Sequence, residues 1–242
     1  MIIDIITIFP DFFTPFLETS MIRKALEKQY VKINIHNLRD HTTNKHKKID
    51  DTPYGGGAGM LMTIQPFEAV ISALKTKDSV VILLSPQGEL LSQPKAIELA
   101  TKTHIILLCG HYEGVDARIQ AYIDMELSIG DYVLTGGEIP AMIVADAITR
   151  LIPGVLHEES AQADSLQNGL LKYPQYTKPE HYKGMAVPDV LLSGHHQQIE
   201  SWRKQEQLRQ TLVKRPDLLK KVKLDPESKT MLEAIKQQLK DK

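Results

Sequence analysis

Glycine-rich segments are the part of the sequence most able to bind a ligand through the backbone. The segment 50–60 reads Asp-Asp-Thr-Pro-Tyr-Gly-Gly-Gly-Ala-Gly-Met, with four glycines in five positions. Glycine lets the chain adopt left-handed conformations and expose its amide groups. The segment lacks the Gly-Lys-Ser/Thr ending of a P-loop, and no Gly-x-Gly-x-x-Gly fingerprint follows the first predicted strand. A phosphate cradle and a flexible surface loop both remain open.

Three further segments carry glycine beside polar side chains at the ends of predicted strands. They are 85–88 (Ser-Pro-Gln-Gly), 109–114 (Cys-Gly-His-Tyr-Glu-Gly) and 128–138 (Ser-Ile-Gly-Asp-Tyr-Val-Leu-Thr-Gly-Gly-Glu). In an open parallel sheet the carboxyl ends of the strands form the ligand crevice. Short βα turns also favour glycine for geometric reasons alone. The three segments together predict a crevice of this kind.

Two charged residues stand near the middle of the chain, Arg150 and Asp164. An arginine at the end of a predicted helix suits the helix dipole, and an aspartate in a polar linker is usually solvated. The residues by themselves therefore favour a structural role for both.

The elements that must position these segments alternate between strand and helix. Strands are predicted at 2–8, 31–37, 80–84 and 105–109, and helices at 15–29, 65–74, 93–101 and 139–151. This alternation predicts an α/β fold with a mainly parallel sheet and helices on both faces.

The remaining third of the chain has a different pattern. Residues 157–169 form a polar stretch without periodicity, which predicts a flexible linker between a domain at 1–156 and a second domain at 170–242. Helices of this second domain are predicted at 197–213, 216–222 and 226–239.

Charge is divided unevenly between the two parts. Residues 1–164 carry 14 Lys and Arg against 21 Asp and Glu, whereas residues 165–242 carry 15 against 9. Eight basic residues between positions 203 and 223 form a possible phosphate-binding surface, although the pattern alone favours a solvated helical face.

Composition excludes several classes of protein. A single cysteine, Cys109, permits no internal disulfide and no cysteine metal cluster. The apolar runs are shorter than the roughly 20 residues of a membrane span, and the first residues lack the pattern of a signal peptide. These features favour a cytoplasmic location.

Seven blocks of sequence are similar to one known family. The blocks 53–60, 85–88, 109–116, 128–138, 150–156, 182–188 and 190–196 resemble the bacterial tRNA (guanine-N1)-methyltransferases of the SPOUT superfamily. They keep the family's order over almost the whole chain. The resemblance implies a trefoil knot at the end of the α/β domain, a small all-helical domain that binds tRNA, and a homodimer in which tRNA contacts both subunits.

The resemblance also implies the reaction and the donor. S-adenosyl-L-methionine would supply a methyl group to N1 of the guanine immediately 3′ of the anticodon. Because guanine N1 carries a proton, transfer needs a general base. Asp164 matches the family's linker aspartate, Arg150 would stabilise charge on guanine O6, and Glu113 would orient the donor or bind Mg²⁺.

Binding residues follow from the same blocks. The donor would be held by Ser85, Pro86, Gly110, Tyr112, Glu113, Gly114, Ser128, Ile129, Gly130, Tyr132, Val133, Leu134, Gly136, Gly137 and Pro140. The tRNA substrate would contact Asp50, Tyr54, Gly55, Gly57, Gly59, Ser193, His195, Trp202, Arg203 and Arg215.

The sequence departs from the family pattern at two places. The linker is one residue shorter than expected, so Glu158 and Glu159 compete with Asp164 for the role of base. Position 111 is histidine where the family often has arginine. Alternatives are a related knotted methyltransferase that acts on another base or on a ribose 2′-hydroxyl, and a non-catalytic RNA-binding relative.

Overall fold

The computed structural model describes residues 1–156 and 164–241. The chain divides into two compact units, residues 1–158 and 159–242. The domain limits inferred from sequence, 1–156, 157–169 and 170–242, stay a prediction. The competing carboxylates Glu158 and Glu159 lie outside the described residues.

A five-stranded parallel sheet forms the centre of the first unit. Its strands stand in the order β2-β1-β6-β5-β7, and every neighbouring pair is parallel. Their bounds are β1 Ile2–Thr7, β2 Lys32–Asn37, β5 Ser79–Leu90, β6 His104–Cys109 and β7 Met125–Ser128. A separate two-stranded ladder pairs β3, Asp50–Asp51, with β4, Leu61–Met62. The predicted parallel α/β sheet is confirmed.

Five α-helices accompany this sheet within residues 1–156. They are α1 Thr14–Leu17, α2 Ser20–Glu27, α3 Ile64–Leu74, α4 Gln93–Ala100 and α5 Glu138–Thr149. Single turns of 3₁₀-helix lie at Pro10–Phe13, Leu38–His41 and Ala117–Ala121.

Successive residues of a strand pack into two different hydrophobic cores, one on each face of the sheet. Residues Ile105 and Leu107 of β6 join a cluster that includes α5, whereas Ile106 and Leu108 join a second cluster that includes Phe67 of α3. This alternation is the two-residue period of a strand. Because both faces of the sheet are covered, the central strand β6 is apolar from Ile105 to Cys109.

Three elements differ from the sequence predictions. The helix predicted at 15–29 is two helices, α1 and α2, and Ser20, the first residue of α2, has a φ of 52°. The strand β7 was not predicted, because four residues are too short for a periodic signal. The segment 85–88 is not a loop after a strand, since β5 continues through it to Leu90.

A polar network lies within the sheet around the buried Asp4. Its carboxylate accepts hydrogen bonds from Asn34 Nδ2 at 2.7 Å, His36 Nε2 at 2.8 Å and His104 Nε2 at 2.6 Å. On its other side, His104 Nδ1 lies 2.7 Å from Ser79 Oγ. Burial raises the pKa of Asp4, but the hydrogen bonds outweigh burial and hold this pKa below its ordinary value of 3.8.

We expect Asp4→Asn to lower the free energy of unfolding by about 2 kcal/mol at pH 7. The Asp4 carboxylate accepts from three N–H donors, and the amide of asparagine would turn its own N–H group towards one of these donors. A lowered pKa stabilises the fold above pH 3.8, and this contribution is lost as pH falls through the pKa of the folded state. The difference in unfolding free energy between wild type and Asp4→Asn should therefore be largest at neutral pH and should become smaller below pH 3.8. Urea unfolding measures it, and equal stabilities at pH 7 would contradict it. The exposed Asp78→Asn is the matched control, with an expected change below about 0.5 kcal/mol.

The second unit is mainly helical in its described part. Its helices are α6 Asp189–Leu192, α7 His196–Lys214, α8 Pro216–Leu219 and α9 Pro226–Lys240. They enclose a small core of Leu170, Leu208, Leu232 and Ile235. A short antiparallel ladder of β8, His181–Tyr182, with β9, Met185–Ala186, is added to the predicted helices. No helix within 1–156 and 164–241 is long and apolar enough to cross a membrane.

Candidate active site

A cavity of about 520 Å³ lies at the carboxyl ends of β6 and β7 and beside residues 83–87 of β5. This position is the crevice that a parallel sheet offers to ligands. The volume falls in the range of small-molecule sites, roughly 300 to 1,000 Å³.

All fifteen residues that the sequence assigned to the donor line this one cavity. They come from the β5 extension, the loop after β6, the loop after β7 and the start of α5. The fifteen residues are Ser85, Pro86, Gly110, Tyr112, Glu113, Gly114, Ser128, Ile129, Gly130, Tyr132, Val133, Leu134, Gly136, Gly137 and Pro140. The fold thus gathers segments that are more than fifty positions apart.

The loop after β7 returns across the sheet to the end of β6. The N–H of Gly137 donates to the carbonyl of Gly110 at 2.8 Å, and Gly136 forms a β-bridge with His111. This crossing forms the floor of the cavity, and α5 begins immediately after it at Glu138.

Gly137 permits this crossing because it has no side chain. A Cβ at this position would lie 2.6 Å from Cys109 Cα and 3.1 Å from the Gly110 nitrogen, which are backbone atoms. Gly88 likewise lets β5 approach the backbone of β7 closely, since a Cβ there would lie 2.3 Å from the Leu127 nitrogen. The register of β5 against β7 shifts between Leu84 and Glu89, so the segment 85–88 bulges towards the cavity.

We expect Gly137→Ala to weaken donor binding at least tenfold and to destabilise the fold by about 1 to 3 kcal/mol, because the backbone of β6 must move. Calorimetric titration with S-adenosyl-L-methionine and thermal unfolding measure the two effects. The control for stability is Gly110→Ala, whose Cβ would meet only Val115 Cγ2 at 3.4 Å. Wild-type donor affinity in Gly137→Ala would contradict the expectation.

Exposed apolar side chains form the rim of the cavity. Val133 is 86% exposed and Tyr132 is 53% exposed, and Tyr112 stands exposed on the opposite loop. Their exposure leaves apolar surface available to a ligand with an aromatic ring, beside the amide groups of the glycine-bearing loops.

The segment 50–60 projects from the same side of the molecule. Tyr54 is fully exposed, and a Cβ on Gly55, Gly56 or Gly57 would meet nothing within 4 Å. The end of the segment is fixed to the loop after β6, since the N–H of Glu113 donates to the carbonyl of Met60 at 3.0 Å.

This attachment brings two more predicted residues to the cavity edge. A Cβ on Gly59 would lie 2.6 Å from the side chain of Glu113, and Asp50 pairs with Met62 in the β3–β4 ladder. The segment is therefore an exposed arm beside the cavity, which fits a substrate contact better than a phosphate cradle around the donor.

Glu138 and Thr7 are two buried polar residues that the sequence reasoning missed. Thr7 Oγ1 donates to Glu138 Oε1 at 2.9 Å, and Glu138 Oε2 lies 3.8 Å from His111 Nδ1. Burial first, and the charge of Glu138 second, raise the pKa of Cys109 well above its ordinary value. The signal in the sequence was the carboxylate next to two glycines at the start of a helix, which we interpreted only as part of a donor loop.

Arg150 lies apart from the donor cavity within one chain. It lines a second hollow of about 420 Å³ together with Phe16, Gln93 and Asp146. It follows the last residue of α5, ten residues beyond Pro140, which corresponds to about 15 Å along a helix axis. An exposed stripe runs along α5 from the donor cavity to the second hollow. It is formed by Ile139, Ile143, Asp146 and, just after the helix, Arg150.

Asp164 is the first described residue of the second unit. Its Oδ1 lies 3.3 Å from Lys172 Nζ, and its side chain is partly exposed. This ion pair leaves the carboxylate accessible from solvent.

The predicted tRNA contacts of the second unit form two groups. In the first, the guanidinium of Arg203 lies 5.1 Å above the ring of Tyr173, and Trp202 meets the same ring edge-on. In the second, Ser193 and His195 are exposed just before α7, and the His195 N–H donates to Ser193 Oγ. Arg215 is exposed and already forms two hydrogen bonds to Asp217.

No group of three or more metal-ligating side chains occurs among the described residues. Binding of Mg²⁺ by Glu113 stays a prediction.

A parallel α/β unit with a small-molecule cavity at its strand ends, followed by a basic helical unit, defines the class of ligand-binding α/β enzymes. Comparison with known proteins makes the assignment specific. The chain belongs to the tRNA (guanine-1)-methyltransferase TrmD family, whose family model matches residues 1–221.

Curated relatives match over nearly their full length. The protein named tRNA (guanine-N(1)-)-methyltransferase from Acholeplasma laidlawii is 59% identical over 240 residues, which cover 99% of each chain. Proteins of the same name from Aster yellows witches'-broom phytoplasma and from Dictyoglomus turgidum are 58% and 52% identical. These matches cover 99% of the present chain and 99% and 98% of the relatives.

Proposed function

We propose that this protein transfers a methyl group from S-adenosyl-L-methionine to N1 of the guanine immediately 3′ of the anticodon in tRNA. The observation that carries the proposal is the single cavity lined by all fifteen residues assigned to the donor. Relatives with 52 to 59% identity that are named for this reaction support the choice of substrate. We also propose a cytoplasmic location, which a tRNA substrate supports.

The cavity suits a donor with an adenine ring and a charged sulfonium. The loop 128–137 presents backbone amides and carbonyls at Ile129, Tyr132, Leu134 and Gly136, which can read the edge of the adenine, and Pro140 closes one side. When bound, the donor supplies an electrophilic methyl group. Glu113 is one of two carboxylates that line the cavity, with Glu126, and it would orient the donor.

Asp164 and Arg150 act on the guanine. The carboxylate of Asp164, which pairs with Lys172 in the free protein, would accept the N1 proton of guanine as N1 attacks the methyl carbon. The bond between that carbon and the sulfonium sulfur would break at the same time, and S-adenosylhomocysteine would leave as a neutral thioether. The negative charge that develops on O6 is stabilised by a charge-assisted hydrogen bond from Arg150. In this scheme Glu113 orients the donor and takes no part in proton transfer.

We also propose that the end of the first unit is a trefoil knot. The path of the chain supports it, because residues 129–137 run from the edge strand β7 back to β6 and α5 then packs against the first core. Such threading is rare in proteins. Membership of the family is the second support.

A homodimer completes the site. In one chain Arg150 stands about 15 Å along α5 from Pro140 at the donor cavity. A two-fold axis beside α5 would pack this helix antiparallel to its copy and bring Arg150 of one subunit to the cavity of the other. The exposed Ile139 and Ile143, which are 45% and 39% exposed, provide the apolar surface for this contact.

The basic second unit binds the substrate. The Tyr173–Trp202–Arg203 group offers aromatic faces with a cation for stacking, and the basic residues of α7 and α8 attract the phosphates of the anticodon stem. The exposed arm at 53–59 contacts the guanine loop beside the cavity.

The test is incubation of the protein with unmodified tRNA and methyl-labelled S-adenosyl-L-methionine, followed by nucleoside mapping. We expect the label in N1-methylguanosine at the position 3′ of the anticodon, and none in a tRNA with adenosine there. A label on a ribose 2′-hydroxyl or on another base would refute the proposed reaction. Absence of donor binding with tRNA binding intact would identify an RNA-binding relative without catalysis.

A further inference from the structure

His111 has an unsatisfied polar atom beneath the donor cavity. Its Nδ1 is buried and has no hydrogen-bond partner among the described residues. Its ring is held edge-on between Phe9 and Tyr112, each with a centroid 5.1 Å away. A buried polar atom without a partner costs free energy, so a conformation that supplies a partner is favoured.

Glu138 Oε2 is an acceptor that lies 3.8 Å from this atom. This separation exceeds the hydrogen-bond range by less than 1 Å. Glu138 itself is fixed, because it is 5% exposed, begins α5 and accepts a hydrogen bond from Thr7 of β1. The carboxylate is therefore held in place, whereas His111 stands on the 110–114 loop that lines the donor cavity.

Gly136 covers the pair on the cavity side. A Cβ at Gly136 would lie 2.3 Å from both Glu138 Oε2 and His111 Nδ1. Both Gly136 and His111 line the cavity. A ligand that presses on the loop after β6 thus acts directly on the His111–Glu138 separation.

We propose that Glu138 is a positioning residue for the methyl donor: donor binding closes the gap to His111, and the resulting hydrogen bond holds the 110–114 loop against the 134–137 loop. The inference rests on the proposed function, because it takes S-adenosyl-L-methionine as the ligand of this cavity. The titratable groups around the pair are Cys109 at the end of β6, and Tyr112 and Glu113 on the loop itself. Glu138 touches neither the methyl group nor the guanine in this scheme.

The test is a double-mutant cycle on donor affinity, measured calorimetrically with S-adenosyl-L-methionine. We expect His111→Ala and Glu138→Ala each to weaken binding about tenfold, as for loss of one buried hydrogen bond. If the two residues act through each other, the double variant should also lose about tenfold, rather than the roughly hundredfold of independent effects.

Two variants separate positioning from simple packing. His111→Arg supplies an N–H donor that can reach Glu138, and it should keep donor affinity within about threefold of wild type. Ile148→Val removes one methyl group from the core face of α5 away from the pair, so it should lower the unfolding temperature without a matching loss of donor affinity. If Glu138→Ala does not fold, Glu138→Gln replaces it, because glutamine keeps the shape of the side chain. Glu138→Gln should weaken donor binding in the wild-type protein but should cause no further loss in a protein that already carries His111→Ala.

Multiplicative losses in the double variant, or single losses below about threefold, would overturn the inference. Its failure differs from failure of the proposed function, because in the latter case the wild-type protein itself would show no binding of S-adenosyl-L-methionine.

Discussion

Asp164→Ala should lower kcat for guanine methylation by about 100- to 10,000-fold, the usual contribution of a general base. Donor affinity should remain unchanged, because the residues that line the donor cavity all belong to the first unit. Single-turnover methylation of tRNA with saturating labelled donor gives the rate, and calorimetry gives the affinity.

Two controls test whether this loss is specific to Asp164. Asp189→Ala removes an exposed aspartate of the same unit and should leave the rate near that of wild type. The double change Glu158→Gln with Glu159→Gln examines the competing carboxylates. Near-normal methylation by Asp164→Ala, together with loss in the glutamate variant, would move the role of base to those residues.

Arg150→Ala should lower kcat by about 100- to 1,000-fold, because the charge developing on guanine O6 loses its charge-assisted hydrogen bond. The position of Arg150 adds a sharper expectation. If this residue serves the cavity of the partner subunit, inactive chains can complement one another.

The complementation experiment mixes Arg150→Ala with Gly137→Ala after separate purification and exchange of subunits. A mixed dimer contains one site with an intact cavity and an intact Arg150, so random mixing should restore up to about a quarter of wild-type activity. At a donor concentration below the wild-type Kd, each variant alone should show about a tenth of wild-type activity or less. A mixture as inactive as its parts would show that Arg150 acts within its own chain, or that the protein is not a dimer.

The sequence predicted the parallel sheet because buried strands leave long apolar runs such as 105–109, and these runs differ clearly from the amphipathic helices. It did not predict β7 or the break between α1 and α2. Both depend on tertiary contacts: β7 is held by its ladder with β5, and Ser20 is held at a positive φ where the chain turns into α2.

The candidate site divides in the same way. Residues in glycine-bearing segments could be assigned from their resemblance to a family, and the structure places them around one cavity. The contact between His111 and Glu138 could not be read from a sequence separation of 27 positions, because it depends on the return of the chain from β7 to β6. The separation of Arg150 from Pro140, in contrast, follows already from the helix predicted at 139–151, because ten helical residues span about 15 Å.

The strand order β2-β1-β6-β5-β7 also governs how this protein can assemble during its synthesis. β5 leaves the ribosome before β6, yet its place in the sheet is on the far side of β6. The nascent β5 therefore has no neighbour to pair with until about twenty more residues have been translated, a delay of roughly one to four seconds at bacterial elongation rates. During that interval its apolar run is an exposed, unpaired edge, which makes the emerging chain a candidate client for ribosome-associated chaperones.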